Sequence, residues 1–451
     1  MAELLEGDQV LLDPIERTGR GFWIALVALL GLIAWGAAAY LTQLRVGLGG
    51  TGLHQPVSWG FYVTNFVFFI GISHAGTLIS AILRLSKAEW RRPVTRMAEV
   101  ITCMVLLIGA GQIVVDLGRP DRMLNVIQYG RYQSPLLWDA TSISAYLTAS
   151  TVYLYLPMIP DIAILRDNCT KYNFLYRVLA LGWTGSARQH HVLNRAITIM
   201  MVMVIPIAIS VHTVVSFVFS MTLQPMWHST IFGPYFVVGA IFSGIAALII
   251  AMLIFRRAYK LHAYLKPIHF QYLGQLLLVM SLLWFYFTFA EYLTAYYGAE
   301  PEEMKVFWSK FTGRFRVQFW AMFACNFVVP IACLTRLKKH TIPRVLIASI
   351  TIVVGMWLER FIIVVPSLSS PRLPFDEGSY APTWVEWGEL AGSVGLFSLF
   401  YLLFTKFFPV ISIWEMREGR HQAIGEVMDR VKSYLPDVRA PAPPQPAEVA
   451  S

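Results

Sequence analysis

The chain has 451 residues, of which 56% are hydrophobic and 14% charged, with a mean hydropathy of +0.57. Soluble domains carry about 25% charged residues, so this composition excludes an ordinary soluble protein and indicates a membrane protein with several spans. The formal net charge of +9 does not indicate nucleic-acid binding, because the basic residues collect in loops between apolar segments.

Ten apolar segments reach the roughly 20 residues that a helix needs to cross a bilayer. We therefore predict an all-α integral membrane protein with about ten transmembrane helices. The acidic N-terminal segment lacks a basic n-region, so we do not expect a cleavable signal. The predicted spans cover residues 21–43, 58–85, 95–117, 134–160, 194–221, 229–256, 270–297, 315–335, 344–367 and 385–411.

The Lys and Arg residues of the connections predict the orientation of the chain. Sixteen lie on the side that holds both termini and eight on the opposite side. Because short cytoplasmic loops carry the excess of positive charge, we expect both termini in the cytoplasm. The second face is then periplasmic, in a bacterial inner membrane.

A weak internal repeat predicts the domain organisation. Gly60, Tyr62 and Gly71 on the second span recur with the same spacing as Gly233, Tyr235 and Gly244 on the sixth. We expect two related four-helix bundles, spans 2–5 and spans 6–9, of which the first carries a histidine. The predicted regions are 1–20 (cytoplasmic), 21–57 (first helix and outer loop), 58–221 (first bundle), 222–367 (second bundle), 368–416 (outer loop and tenth helix) and 417–451 (amphipathic segment and disordered tail).

The second span carries one ionisable residue near its middle, His74. Ionisable side chains at bilayer depth are costly and usually face the bundle interior or a wet cavity. The small Gly71 and Gly76 flank His74, which lets a helix or a flat ligand approach closely. We place His74, Gly71, Gly76 and the aromatic Tyr62 in a candidate binding site; the alternative is a histidine bonded to a helix carbonyl.

Other ionisable residues are predicted in the periplasmic half of the spans. The near-interface Asp116 and Glu386 are candidates for simple solvation or capping, whereas Glu359 and Arg360 are adjacent and point about 100° apart, so we expect no direct pair. The set with candidate roles comprises Asp116, Asp139, His212, Glu291, Glu359, Arg360 and Glu389.

One mid-membrane histidine with acids toward one surface suits the oxidation of a quinol. A quinol releases two protons with its two electrons, and an imidazole and a partly buried carboxyl can accept protons. The catalytic candidates are His74, Asp139 and Asp116. We also expect a cavity beside His74 that opens toward the acyl chains of the lipids. The four cysteines show no C-x-x-C or C-x-x-C-H spacing, so we expect no haem, iron–sulfur cluster or metal on this chain.

Three motifs resemble the NrfD/PsrC family of quinone-interacting membrane subunits: GISHAGTLISAIL on the second span, DLGRPDR after the third, and SPLLWD. Within it, QPMWHSTIFGPYFVVGAIFSG and the ten spans are similar to the ActC branch of alternative complex III, over residues 20–415. The resemblance implies oxidation of menaquinol or ubiquinol at His74, Asp139 and Asp116, and proton conduction through Glu291 and Glu359. The implied partners are a periplasmic iron–sulfur protein, c-type cytochrome subunits, a second NrfD-like subunit and a terminal oxidase.

Four other interpretations stay open at this point. A molybdenum-enzyme partner would indicate a quinone-linked anchor of polysulfide-reductase type. A b-type cytochrome would need two histidines at matched depth, and only His74 and His212 qualify. A transporter or proton channel agrees with the possible repeat. A plain membrane anchor would leave quinol oxidation independent of His74.

Overall fold

A computed structural model describes residues 6–169, 171–336, 341–373 and 376–420. The described residues are largely helical, with one isolated β-bridge between His54 and Val57 and no strand. They include ten helices long and apolar enough to cross a membrane, which confirms the prediction of an all-α integral membrane protein. These are α1 (Arg20–Val46), α2 (Phe61–Leu85), α3 (Thr95–Asp116), α4 (Pro135–Asn168), α5 (Ala187–Ser220), α6 (Phe232–Ala258), α7 (Pro267–Gly298), α8 (Arg316–Leu334), α9 (Thr341–Ser369) and α10 (Trp384–Phe407).

Shorter helices complete the two faces of the helix array. They are Glu6–Glu16, Asn125–Gln128, Asn173–Leu179 and Pro301–Phe311, and residues 413–420 are also helical. We call the side that holds residues 6–20 and 412–420 the terminal face, and the other side the distal face. The predicted amphipathic segment His421–Leu435 and the tail after it lie outside the described residues.

Two helices extend well beyond their predicted spans. The fourth span was expected to end at residue 160, but α4 continues through Pro157 and Pro160 to Asn168. Arg96 and Trp414 donate to the Pro157 carbonyl at 2.9 and 2.7 Å, so polar neighbours stabilise this stretch. Likewise α5 begins at Ala187 rather than 194, where Ser186 and Gln189 form a capping box.

Helix α2 is the most enclosed of the ten, with 88% of its most apolar window buried. It packs against α3, α5, α6 and α9. Glycine permits the closest of these contacts, because a Cβ at Gly76 would overlap the Ala98 carbonyl oxygen and Thr102 Oγ1 on α3. The structure therefore assigns Gly76 to helix packing.

The remaining helices pack around this centre. Helix α4 lies against α3 and α5. Helices α6, α7, α8 and α9 form a second group, in which α7 contacts α6 and α8, and α9 contacts α6, α7 and α8. Helices α1 and α10 pack closely on each other, since a Cβ at Gly36 would lie 2.7 Å from Gly392 Cα, and α10 also contacts α3 and α2. The predicted division into two repeat-related bundles stays a prediction.

Buried charges join the terminal ends of α3 and α4 to the segment after α10. The Asp161 carboxylate pairs with Arg96 and accepts the backbone N–H groups of Ile413 and Trp414 at 3.1 and 2.9 Å. A buried carboxylate keeps its charge only with such partners. The segment after α10 is thereby fixed under α3 and α4.

Substitution at Gly76 tests the packing of α2 on α3. We expect Gly76→Ala to lower the free energy of unfolding by about 1–3 kcal/mol or more, because the added methyl group forces the two helices apart. Thermal unfolding of the purified protein in detergent measures this.

The matched control is Gly111→Ala on α3, where a Cβ meets nothing within 4 Å. Equal melting temperatures for the two variants would contradict the close contact.

Candidate functional site

Two histidines meet in the interior of the described structure, His74 on α2 and His212 on α5. Both are completely buried, and their ring centroids lie 3.8 Å apart with the planes inclined at 60°. His74 stands midway along α2. A porphyrin plane does not fit between two rings this close, so the geometry disfavours a bis-histidine haem held by this pair.

Both nitrogens of the His74 ring face carbonyl oxygens. Nε2 lies 2.5 Å from the Ala208 oxygen on α5, and Nδ1 lies 3.1 Å from the Ile70 oxygen of its own helix. A carbonyl oxygen only accepts hydrogen bonds, and a neutral imidazole donates from one nitrogen. The two bonds are therefore made together only when the ring holds an additional proton.

His212 has the opposite environment. Neither of its ring nitrogens has a hydrogen-bond partner among the described residues. Gly71 leaves room next to the ring, since a Cβ there would lie 3.9 Å from His212 Nε2 and 3.5 Å from Ser243 Oγ. The pair thus combines one fully engaged imidazole with one that retains its capacity for hydrogen bonding.

A cavity beside His74 was expected from the sequence. His74 is not among the lining residues of five cavities in the described part of the chain. Its ring instead packs against Tyr146 at 5.1 Å between centroids. Because both histidine rings are completely buried, a ligand that contacts them requires neighbouring side chains such as Tyr146 to move.

A line of polar groups continues from His74 toward the terminal face. Tyr146 donates to the Ser73 carbonyl at 3.1 Å, and Ser80 donates to Glu99 at 2.5 Å and lies 3.3 Å from the Tyr153 hydroxyl. We call this set the terminal-side polar column; its members are Thr77, Ser80, Arg84, Glu99, Tyr146, Ser150 and Tyr153.

The column ends in a buried cluster of charges. Arg84 lies 3.9 Å from Glu99 and 2.8 Å from Glu415, which also pairs with Arg91 at 3.1 Å. Burial raises the pKa of Glu415, but Arg84, Arg91 and Arg96 outweigh it and hold this pKa below its usual value. Glu415 therefore remains an anion at the terminal face.

These residues correct the expectation that ionisable groups gather in the distal half. Arg96, Glu99, Asp161 and Glu415 are buried toward the terminal face, and the Arg84 side chain beside them is 11% exposed. Sequence reasoning missed them because Arg96 adjoins a basic connection and the spacing of the others does not reveal their partners. The signal that could have found them was Glu99 inside a predicted span and Asp161 next to Pro160.

The predicted acids Asp139 and Asp116 lie toward the distal ends of α4 and α3. Asp139 is buried, and its Oδ1 has no hydrogen-bond partner in the described structure. It shares a helix face with Tyr146, about 10 Å farther along α4. Asp116 is half-buried at the last residue of α3.

Tyr62 lies about 18 Å from His74 along α2, near the distal face. Its hydroxyl donates to Gln43 at 2.6 Å, and Gln43 donates to the Val115 carbonyl at 2.7 Å. Gln43 on α1 thus links Tyr62 on α2 to Val115, the residue before Asp116 at the end of α3. At about 18 Å along the helix, Tyr62 does not contact the histidine pair.

Glu359 and Arg360 on α9 contact each other directly, contrary to expectation. Arg360 Nη1 lies 3.2 Å from Glu359 Oε2, a distance that the long arginine side chain can reach although adjacent Cβ atoms point about 100° apart. Trp284 donates to Glu359 Oε1 at 2.6 Å, and the Arg360 guanidinium lies 4.8 Å above the Phe236 ring. Neither Arg360 Nη atom has a well-directed hydrogen bond within the described residues.

Two other predicted residues lie apart from the histidine pair. Glu389 contacts Gln112 at 3.5 Å and lines a cavity of about 210 Å³ between α1, α3 and α10. Glu291 is buried near the distal end of α7. The nearby Glu386 caps α10, where it accepts the Thr383 N–H at 2.7 Å, so a capping role explains it.

A known family matches most of the chain that carries this site. The sequence profile of the family described as "Polysulphide reductase, NrfD" matches residues 49–371. The chain belongs to this family.

Three relatives illustrate the range of the NrfD family. A putative membrane subunit of dimethyl sulfoxide reductase from Halobacterium salinarum is 28% identical over 54% of this chain and 53% of its own length, so the chain matches about half of that relative. A selenate reductase subunit from Mesobacillus selenatarsenatis is 23% identical over 89% of this chain and 96% of the relative. The Hdr-like menaquinol oxidoreductase integral membrane subunit from Archaeoglobus fulgidus is 24% identical over 88% and 95%.

Lys310 on the distal helix Pro301–Phe311 provides a test by pH. Burial lowers its pKa to about 8, although Glu291 and Glu303 act in the opposite direction. Between pH 8 and the ordinary value of 10.5, the unfolded chain binds more protons than the folded one, so stability rises with pH across that window. We expect Lys310→Met to remove up to about 3 kcal/mol of this dependence.

Thermal unfolding at pH 7.5 and pH 10 gives the measurement. Lys305→Met is the matched control, because Lys305 is exposed on the same helix and should leave the pH dependence unchanged. An undiminished rise in Lys310→Met would refute the assignment.

Proposed function

We propose that this chain is the quinol-oxidising membrane subunit of a respiratory electron-transfer complex. It takes two electrons and two protons from menaquinol or ubiquinol and passes the electrons to a periplasmic iron–sulfur partner. The observation that carries the proposal is the buried His74–His212 pair, whose ring centroids are 3.8 Å apart. The Archaeoglobus fulgidus relative is named for a menaquinol oxidoreductase, which supports the choice of substrate class.

The pair supplies what quinol oxidation needs from the protein. A quinol hydroxyl requires an acceptor, and a neutral His212 ring has one accepting nitrogen, which has no partner among the described residues. The proton passes from the quinol to His212, and a further transfer to His74 would be stabilised there because a protonated His74 ring can donate to both the Ala208 and the Ile70 oxygens. In this scheme the quinol loses two protons and two electrons, and the partner's cluster is reduced in two one-electron steps.

The second proton is assigned to the distal side. Asp139 is buried on the same face of α4 as Tyr146 and retains an unpartnered carboxyl oxygen in the described structure. Asp116 lies at the distal end of the neighbouring helix α3. Release toward this side agrees with the positive-inside orientation, in which the distal face is periplasmic.

Movement of protons across the membrane forms the second part of the proposal. The terminal-side polar column leads from Ser73, beside His74, to Glu99 and Arg84 near the terminal face. His212, Glu359, Arg360, Glu291 and Glu389 provide further ionisable groups on the distal side. The column and these groups are proposed as proton routes linked to quinol oxidation.

The partners follow from the same reasoning. Because no C-x-x-C spacing or other redox-cofactor motif occurs in the sequence, we assign electron transfer to other subunits. We propose an iron–sulfur protein, c-type cytochromes and a second NrfD-like subunit, with a terminal oxidase as acceptor. The likeness to the ActC branch is part of this proposal.

Substitution of the paired histidines tests the function. We expect His74→Gln and His212→Gln to lower the rate of quinol oxidation by the assembled complex about 10²–10⁴-fold, the usual contribution of a positioned proton acceptor. The assay follows oxidation of a soluble menaquinol analogue by the purified complex, and gels verify that every subunit is present.

His190→Gln is the control, because His190 lies on the terminal side against Trp183, at 4.9 Å between ring centroids. We expect it to oxidise quinol at the wild-type rate. Wild-type rates in both paired-histidine variants, in a complex with all its subunits, would instead make the chain an anchor.

A further inference from the structure

A separate cavity of about 290 Å³ lies between the distal ends of α2, α8, α9 and α10. Six aromatic rings form its walls: Phe61, Phe315, Trp357, Phe361, Tyr380 and Trp387. Phe61 contacts Trp357 and Trp387 edge-on at 5.0 and 4.8 Å between centroids. Rings that served only as packing would fill the space between them, whereas these line a volume close to the lower limit of small-ligand pockets.

The geometry of the walls suits a flat, conjugated ring. Trp357 lies nearly parallel to Phe361, at 18° and 6.2 Å, and within 30° of Trp387 at 6.4 Å. Aromatic faces with similar orientation stack well on other flat rings. Helix α9 supplies Trp357 and Phe361 from adjacent turns, so their relative positions are held by the helix backbone.

Two polar side chains line the same cavity. The Gln318 Oε1 atom is buried and has no hydrogen-bond partner among the described residues. Arg314 donates one Nη1–H to the Gly378 carbonyl at 3.1 Å and carries four further N–H donors in its side chain. A quinol hydroxyl can donate to Gln318, and a quinone carbonyl can accept from Arg314.

The Tyr380 hydroxyl is already engaged. It accepts the Phe61 N–H at 2.9 Å and donates to Glu386 at 2.5 Å. Tyr380 therefore serves as a wall, and the polar recognition depends on Gln318 and Arg314.

The cavity is open to the surface of the protein. Trp387 on α10 lines the cavity and is 46% exposed. An isoprenoid tail would leave past it into lipid. Phe61 precedes His74 by 13 residues on α2, so the cavity lies about 20 Å from the histidine pair along the helix.

We propose that this cavity binds the ring of a lipid-soluble quinone in either redox state, as a second site distinct from the His74–His212 pair. The identity of the ligand class rests on the proposed function, whereas binding in the cavity does not require chemistry at His74. A phospholipid fits less well, because its acyl chains make no use of Gln318 and its headgroup finds only Arg314 as a cation in the lining.

Photolabelling of the purified complex in lipid nanodiscs tests this proposal. The probe is an azido-naphthoquinone with a short isoprenoid tail, followed by digestion and mass spectrometry. We expect labelled peptides that contain Gln318, Trp357 or Trp387. Excess unlabelled naphthoquinone should suppress the labelling, and excess phosphatidylglycerol should not.

Two variants remove different features of the cavity. Trp387→Leu deletes an aromatic wall and Gln318→Leu deletes the unpartnered amide, and we expect each to lower the labelling about three- to tenfold. Trp384→Leu is the matched control, since Trp384 is 53% exposed on the same helix and does not line the cavity. Its labelling should equal that of the wild type.

Three results would overturn the proposal. They are no labelling of these peptides, equal labelling of the wild type and both cavity variants, and equal suppression of the labelling by phosphatidylglycerol and by naphthoquinone. His74→Gln separates these results from the proposed function. Cavity labelling that persists in His74→Gln supports the second site whether or not that variant oxidises quinol, and its loss there would contradict a separate site.

Discussion

The polar side chains of α2 lie inside a membrane-spanning bundle, where neighbouring helices have to supply their hydrogen-bond partners. The structure meets this constraint by enclosing α2 almost completely. Thr102 and Tyr146 bond to the Ser73 carbonyl, Glu99 accepts from Ser80, and Ala208 faces the His74 ring. The groups that remain unpartnered in the described residues, above all the His212 nitrogens, are the places where a substrate gains most from binding.

The sequence predicted the number of spanning helices because each apolar segment exceeded the bilayer thickness. It could not predict the ends of α4 and α5. Pro160 resembled a helix end, yet α4 continues to Asn168 because Arg96, Asp161 and Trp414 stabilise that stretch across three elements of the chain. Such long-range contacts leave no local pattern.

The candidate site was predictable in its centre and less so in its surroundings. His74 stood out as an ionisable residue at mid-membrane, and the depth of His212 was also apparent from its span. Their contact depends on how α2 and α5 cross, which no spacing reveals. The buried charges Glu99, Asp161 and Glu415 were not predicted. The Glu359–Arg360 contact was not expected either, because the angle between adjacent helix positions does not account for the length of the arginine side chain.

In the proposed function, the histidine pair receives one of the two protons that a quinol releases. The most direct test of this claim is an experimental structure of the assembled complex with a tightly bound quinol analogue. We expect the analogue's hydroxyl within about 3 Å of a His212 or His74 ring nitrogen, with the helices displaced to admit the ring. An analogue bound only elsewhere, with the His74–Ala208 bond unchanged, would contradict the account.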